Sequence, residues 1–517
     1  MPLLSDGLLP SDKADNSNFI LAALHSNLKA WPQAYAPNGR TIVPATIKAG
    51  TLLYHAGFNP TGMDWFASML YTYAATRHLR AVYFDGFSAA KQSGGVLELQ
   101  DVLIGLDSKA PNPDYERARM LCEWGKQYGI QGFVREQATF ELLWCDFEDG
   151  VELLSVTDII IPADTNSELK LQEEPPRGSS DAGNGPATRR GINTGTPYLA
   201  ASFWWCYKAT AWHHTVPDTR VVLHPAYTVT LYDPEYKSLA ENNKLPRRRH
   251  RLADLSIDDK AVFLAEVDGA MKAWTNTDPR GEGSGVDWSS IAHSIVERNG
   301  DRITEFHTLL STVNTTANIT EVVSIARLIV FGMILPYVDH AAVFAPEITA
   351  SDRSAVLSAV PTKCSLAFTG HIDVPRYRLT PQERRLKRAA EGVLSRICGF
   401  ATQTFDESLI LLDTLAAEAD LALSQAQALR VLDSWLGGVE KLMDWLGWAM
   451  WQRCPETCAW DEVCYLPMWP FNIDWRGYGP GGGGQGSLAH SGPPQVFPPP
   501  VEDDQPLIPR CAKREEF

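Results

Sequence analysis

The sequence predicts an α+β protein: an N-terminal mixed, β-rich α+β domain, then an all-helical domain, then a disordered tail rich in Gly and Pro. Three observations predict it. Strand-length apolar runs bounded by Gly, Asp or Pro crowd residues 41–163. Helix-period segments with capping signals fill 252–452, and residues 476–517 are poor in core formers. At 517 residues the chain exceeds one compact core, and a 44% hydrophobic content supplies more than one.

Residues 1–40 read as an N-terminal helical extension built on "NFILAALHSNLKAW". The α+β domain, 41–250, draws its strands from "TLLYH", "RAVYFDG", "FELLWCDF" and "VTDIIIPA". Between them "DYERARMLCEWGKQYG" sets Ala118, Leu121, Cys122, Trp124 and Tyr128 on one helical face and stops at Gly129. Residues 166–196 are polar and rich in Pro and Gly, so a disordered insertion is expected there. β character resumes in "TRVVLHPAYTVTLYD".

The helical domain, 252–452, opens with Ser256 as N-cap and Asp259 in the first turn. Thr380, Pro381 and Glu383 form a capping box ahead of a long helix. The run from Glu407 to Met450 is helix-forming, with Gly437-Gly438 as its expected break. "ARLIVFGMILPYV", from Ala326 to Val338, is too short to span a bilayer, carries Arg327 and Pro336, and reads as a buried helix. No signal-peptide pattern opens the chain, so a soluble protein with no membrane partner is expected, in the cytoplasm before a secretory compartment.

Nine cysteines divide into two groups. Cys122, Cys145, Cys206, Cys364 and Cys398 sit in apolar contexts and read as ordinary buried thiols. Cys454, Cys458 and Cys464, in the segment 453–475, join Cys511 as candidates for two disulfides. They lack paired CxxC knuckles, so no metal is expected. Asn314 and Asn318 open N-x-T sequons, usable only on a secretory route. The formal charge of -16 argues against a general nucleic-acid binder. The basic run Arg247 to Arg251 offers a local anion site or, more simply, a solvated loop.

The candidate chemistry begins at His55, delivered by a strand into a Gly- and Pro-bearing turn. Tyr54-His55, Trp65-Phe66-Ala67-Ser68, Tyr71 or Tyr73, Gly132-Phe133 and Glu141 follow one another in an order that resembles ADP-ribosyltransferase-like domains over residues 49–155. Two positions depart from the pattern: Gly57 falls one residue late, and Thr139 stands where an amide or acid often precedes the glutamate. The resemblance implies an enzyme that takes NAD or a related nucleotide as substrate and breaks its glycosidic C–N bond. Glu141 would stabilise the oxocarbenium-like state and His55 would bond the nicotinamide-side ribose or amide; Tyr71 would stack on the ring. His55 and Glu141 are thus the catalytic candidates. Tyr54, Tyr71, Asp85, Ser88, Lys91, His213 and Arg220 are the candidate substrate-binding residues. Of these, His213 or His214 with Asp218 could form a base–orienter pair. Without the resemblance, Glu141 is a strand residue in a surface ion pair and the tyrosines are core aromatics.

The whole chain, through "GTLLYH", "YFDG", "GFVR" and "DEVCY", also looks like a widespread group of uncharacterised fungal proteins. A second fungal reading is a secondary-metabolite enzyme resembling the arginine-containing cyclodipeptide synthases, which use aminoacyl-tRNA; Arg247–Arg251 would then meet tRNA. Their DDxxE pattern is not met, since Asp258-Asp259 is followed by Lys260, Ala261 and Val262. The third reading is a non-catalytic binding or structural protein.

Overall fold

The computed structural model describes residues 16–35, 39–57, 69–87, 97–106, 113–136, 140–158, 204, 208, 215–276, 283–313, 318–417, 421–454, 457–466 and 508–513. Two sheets form the α+β part. The first has six strands: β1 (Thr41–Ile47), β4 (Leu79–Phe87), β5 (Gly132–Glu136), β6 (Phe140–Trp144), β8 (Val221–Leu223) and β9 (Val229–Thr230). Its order is β6-β5-β4-β1-β8, with β9 also on β1, and only β4 and β5 run parallel. That parallel pair needs a crossover, which helices α3 (Glu98–Ile104) and α4 (Pro113–Lys126) supply. The second sheet has three antiparallel strands: β2 (Leu52–Gly57), β3 (Met69–Ala75) and β7 (Val151–Asp158).

Alternation along β4 explains the two cores of the first sheet. Val82 and Phe84 point to one face and pack with Leu99, Leu121 and Phe133. Ala81 and Tyr83 point to the other, with Val43, Ala45 and Leu28. Every residue of β1 is buried. "VTDIIIPA" begins on β7, which spans 151–158 and pairs with β3; residues 159–163 lie outside the described residues. The expected insertion at 166–196 lies outside them as well.

The N-terminal segment forms two helices rather than one, α1 (Ser17–Ser26) and α2 (Ala30–Tyr35). They part at Leu28, whose φ of +60° turns the chain. Its side chain joins the sheet core and its N–H donates to Tyr83 Oη at 3.3 Å. Those contacts offset the backbone cost of a left-handed leucine.

After residue 256 the protein is helical: α5 (Ile257–Thr275), α6 (Trp288–Ser311), α7 (Ile319–Ile334), α8 (His340–Val343), α9 (Ala350–Leu357), α10 (Val360–Ser365), α11 (Pro381–Ala417) and α12 (Leu421–Leu446). Ser256 caps α5 by accepting the Asp259 N–H. The capping box of α11 is formed in full: the Glu383 N–H donates to Thr380 Oγ1 at 3.0 Å and the Thr380 N–H donates to Glu383 Oε2 at 2.8 Å. Gly437-Gly438 does not break α12. A Cβ on Gly438 would sit 3.0 Å from the Phe400 ring, so that glycine serves the close approach of α12 to α11. Among the described residues α7 is the one helix long and apolar enough to cross a membrane. It is half-buried rather than buried: Val323, Ala326, Val330 and Ile334 face the core, while Ile325 and Leu328, and Leu335 just past its end, are exposed.

The two parts exchange helices. α1 packs Ile20, Leu21 and Leu24 into the helical core beside α6, α11 and α12. α5 instead packs Phe263, Val267, Met271 and Trp274 under the six-stranded sheet. Arg385 of α11 fastens the join, paired with Asp233 and, at 2.7 Å, with Glu266 of α5.

Four disulfides are present among the described residues: Cys122–Cys145, Cys364–Cys398, Cys454–Cys464 and Cys458–Cys511. Cys122, Cys145, Cys364 and Cys398 are therefore not free thiols. An apolar setting suits a buried thiol and a buried disulfide alike, and the pairing is decided by three-dimensional neighbours. Cys206 lies outside the described residues. Part of the expected disordered tail is ordered: β11 (Arg510–Lys513) pairs with β10 (Glu462–Tyr465), and Cys458–Cys511 ties them. The covalent link supplies what the composition of that segment lacks. The rest of the tail is outside the described residues.

Candidate functional site

The sequence-derived candidates fall into separate places. His55 sits on β2 opposite Tyr71 of β3, its ring 5.9 Å from that of Tyr71 and 5.4 Å from that of Phe147. Tyr71 and Tyr73 are buried, at 6% and 4% exposure, as core aromatics would be. Tyr54 points to the opposite face of the sheet and is 61% exposed. Arg220 lies close enough to Tyr54 to feel its hydroxyl, but its guanidinium is held by the buried Asp218 carboxylate through Nε at 3.0 Å. That pairing holds Arg220 above its usual range.

Glu141 stands on the other sheet, on β6, in an ion pair with Arg135 Nη2 of β5 at 2.7 Å. It is the pairing expected of a simple strand carboxylate. Asp85 is interior: the Thr41 N–H donates to its Oδ1 at 2.7 Å, and a Cβ on Gly39 would collide with its carbonyl oxygen. Burial pushes its pKa up to about 6. Ser88, Lys91, His213 and His214 lie outside the described residues, so the base–orienter pair is not described. Of the named set, then, His55 meets Tyr71, and Tyr54 neighbours Arg220; Glu141 and Asp85 belong to the first sheet.

The basic run is solvated only in part, since Arg249 is exposed, Arg247 and Arg251 are half-buried and His250 is buried. Arg247–Arg249 make one 3-10 turn, and His250 is 1% exposed. His250 Nδ1 meets Tyr232 Oη at 3.1 Å and Nε2 meets the Leu245 carbonyl at 2.9 Å, with burial driving its pKa down to about 3. Arg251 pairs with Glu98, and its carbonyl accepts from the fully buried Arg40. Phe19, 4.9 Å from the His250 ring, packs against the one residue of the run that turns inward. The sulfurs of Cys454, Cys458 and Cys464 lie within 4.8 Å of one another, a spacing that would suit a metal, but each is already in a disulfide.

A site the sequence reading missed lies at the starting ends of β4 and β5. Because these strands are parallel, both begin at one edge, beside the C-terminus of α4 and the last residues of β1. There Thr46, Arg77, His78, Arg80, Lys126, Gly129, Gln131 and Asp149 line a cleft of about 470 Å³. Gly129, with φ +64°, turns the chain out of α4, a conformation that favours glycine. Arg77 Nη2 donates to Asp149 Oδ1 at 2.6 Å and Nη1 to Gln131 Oε1 at 3.0 Å. Gln131 in turn donates to Asp149. These bonds hold the Asp149 carboxyl below its usual range, so it stays charged. Arg80 lies 5.7 Å over the Trp274 ring and donates to the Thr275 carbonyl, which aims it from β4 toward α5. His78 Nδ1 accepts the Ala49 N–H at 3.1 Å, leaving Nε2 to carry the ring proton. Three cations and one carboxylate line the cleft, and Glu123, outside the lining, pairs with Lys126 at 2.7 Å. The legible signal was "RHLR", Arg77 to Arg80, a basic cluster at a strand start.

A family model described as the YPL277C N-terminal domain matches residues 66–175, which contain the whole lining of this cleft except Thr46. Two curated proteins of Saccharomyces cerevisiae, the uncharacterized proteins YOR389W and YPL277C, are each 28% identical to the chain over 29% of its length. The matched segment spans 34% of the first and 44% of the second, less than half of either relative. No solved structure matches. Through this segment the chain is related to a group of uncharacterised fungal proteins.

Proposed function

We propose that the chain binds a small anionic metabolite of the nucleotide class in the Arg77–Arg80–Lys126 cleft, and that it does so in an oxidising compartment. One observation carries the binding reading: a cleft of about 470 Å³ with three cations around a single carboxylate. That volume falls in the range of small-molecule sites, roughly 300–1,000 Å³. Guanidinium forks match phosphate and carboxylate oxygens two at a time, and Arg77 is already aimed by Gln131 and Asp149. Lys126, exposed at the end of α4 and paired there with Glu123 at 2.7 Å, adds a charge at the rim. The compartment follows from the paired cysteines, since disulfides persist where thiols are not kept reduced.

Transfer of ADP-ribose asks for more than binding. His55 and Glu141 stand on different sheets, and Glu141 is engaged by Arg135. Binding and transfer separate in one experiment. The full-length protein is titrated calorimetrically with NAD, ADP-ribose and inorganic phosphate while nicotinamide release is followed. The proposal expects saturable binding of the nucleotide, at least tenfold weaker for Arg77→Gln and weaker at high salt. Release of nicotinamide that Glu141→Gln abolishes would make the protein an enzyme that breaks the glycosidic C–N bond, with ADP-ribose passed to water or to an acceptor. No binding of any of the three ligands would end the proposal.

A further inference from the structure

We propose that Asn318 carries an N-linked glycan. Asn318, Ile319 and Thr320 form a sequon at the start of α7, and both Asn318 and Thr320 are exposed. Asn318 is the N-cap of that helix, and its Oδ1 accepts the Glu321 N–H at 3.4 Å. Oxygen and nitrogen lie on opposite arms of a planar carboxamide. With the oxygen turned to the helix end, Nδ2, the atom that takes the sugar, is turned away from it. The modification therefore leaves the cap intact, because it uses the nitrogen and not the oxygen.

Two independent features agree. The disulfides belong to the same secretory route in which sequons are used, so this inference rests on the oxidising-compartment reading above. Below Asn318 the outward face of α7 continues at helical spacing through Glu321, Ile325 and Leu328, with the exposed Leu335 just past the helix end, and Leu328 is 63% exposed. A branched, hydrated sugar at the head of this apolar stripe would shield it from other chains. In the reaction the Asn318 Nδ2 displaces a lipid-linked diphosphate from C1 of an oligosaccharide donor. The N–C1 bond forms as the C1–O bond breaks; the lipid diphosphate leaves with the electron pair, and the transferring enzyme takes the amide proton.

The test is the full-length chain secreted from a eukaryotic host, mapped by peptide mass before and after peptide N-glycosidase, with free thiols counted on the same sample. Enzymatic release should convert Asn318 to aspartate. Asn318→Gln and Thr320→Ala should each remove one glycan, and Thr320→Ser should keep it. Thr320→Ala retains the capping asparagine, so a folding defect cannot mimic its result. Asn314→Gln reports separately on the neighbouring sequon. A protein with its disulfides formed and Asn318 unmodified would overturn the proposal and leave the compartment standing. Free thiols with no glycan would overturn both.

Discussion

The two sheets come from one stretch of chain and meet opposite fates. In the six-stranded sheet, β1 is buried along its whole length, α4 and α5 cover one face, and Cys122–Cys145 ties α4 to the end of β6. In the three-stranded sheet, Tyr71 and Tyr73 are buried, but Leu52, Tyr54, Leu153, Leu154 and Val156 are more than 40% exposed. The difference follows from their connections. A parallel pair requires a crossover, and the crossover brings helices that cover the sheet; an all-antiparallel sheet carries no such obligation. The candidate cleft lies where the covered sheet ends, against the turn that leads into it from the open one.

Substitutions can break or sharpen this contrast. The largest effect is expected from Phe133→Ala, which empties a fully buried position between β4 and α4 and should cost about 3–5 kcal/mol in chemical denaturation. Replacing Cys122 and Cys145 together by alanine frees a loop of sequence separation 23 and should cost about 3 kcal/mol, read as a lower denaturation midpoint. Asp85→Asn should act the other way. The folded pKa of Asp85, about 6, stands above its ordinary 3.8, so the folded state holds the proton more tightly. Stability from this group is full below about pH 4 and is lost as the pH rises through 6, so the asparagine variant should gain up to about 3 kcal/mol near pH 7 and nothing at pH 4.

Two histidines set the opposite slope. Burial lowers His25 and His250 to about 3, so each resists protonation in the fold, and the stability they contribute is lost as the pH falls below 6.5. His250→Gln should flatten the acid side of the pH–stability curve; an unchanged curve would place His250 in water. The smallest effect is expected from Tyr54→Ala on the open sheet, within about 0.5 kcal/mol. A loss as large as that of Phe133→Ala would mean that the open face is covered after all.

Local signals were read from the sequence with success. Thr380, Pro381 and Glu383 announced a capping box that forms bond for bond, and Ser256 caps its helix, because every partner lies within three residues. "RAVYFDG" lies on β4, and the first five residues of "FELLWCDF" form β6. What depended on distant partners was not legible. Leu28 takes a left-handed turn to reach Tyr83, and Gly438 is small because of Phe400, 38 residues earlier. Cys122 looked like any buried thiol until Cys145 stood beside it. The cleft is assembled from a strand end, a turn, a helix end and a loop, none of which forms a motif alone.

The exchange of helices between the two parts also governs the order of events during synthesis. α1 leaves the ribosome roughly 270 residues before α6, the first of the long helices it packs on, with Tyr232 and His250, which meet Phe19, coming only somewhat sooner. At cellular elongation rates that is a wait of roughly a quarter of a minute to a minute with an apolar face uncovered. A nascent chain in that state is a client for a chaperone, and a gene cut between the two parts would yield one fragment holding an orphaned helix and another missing its lid.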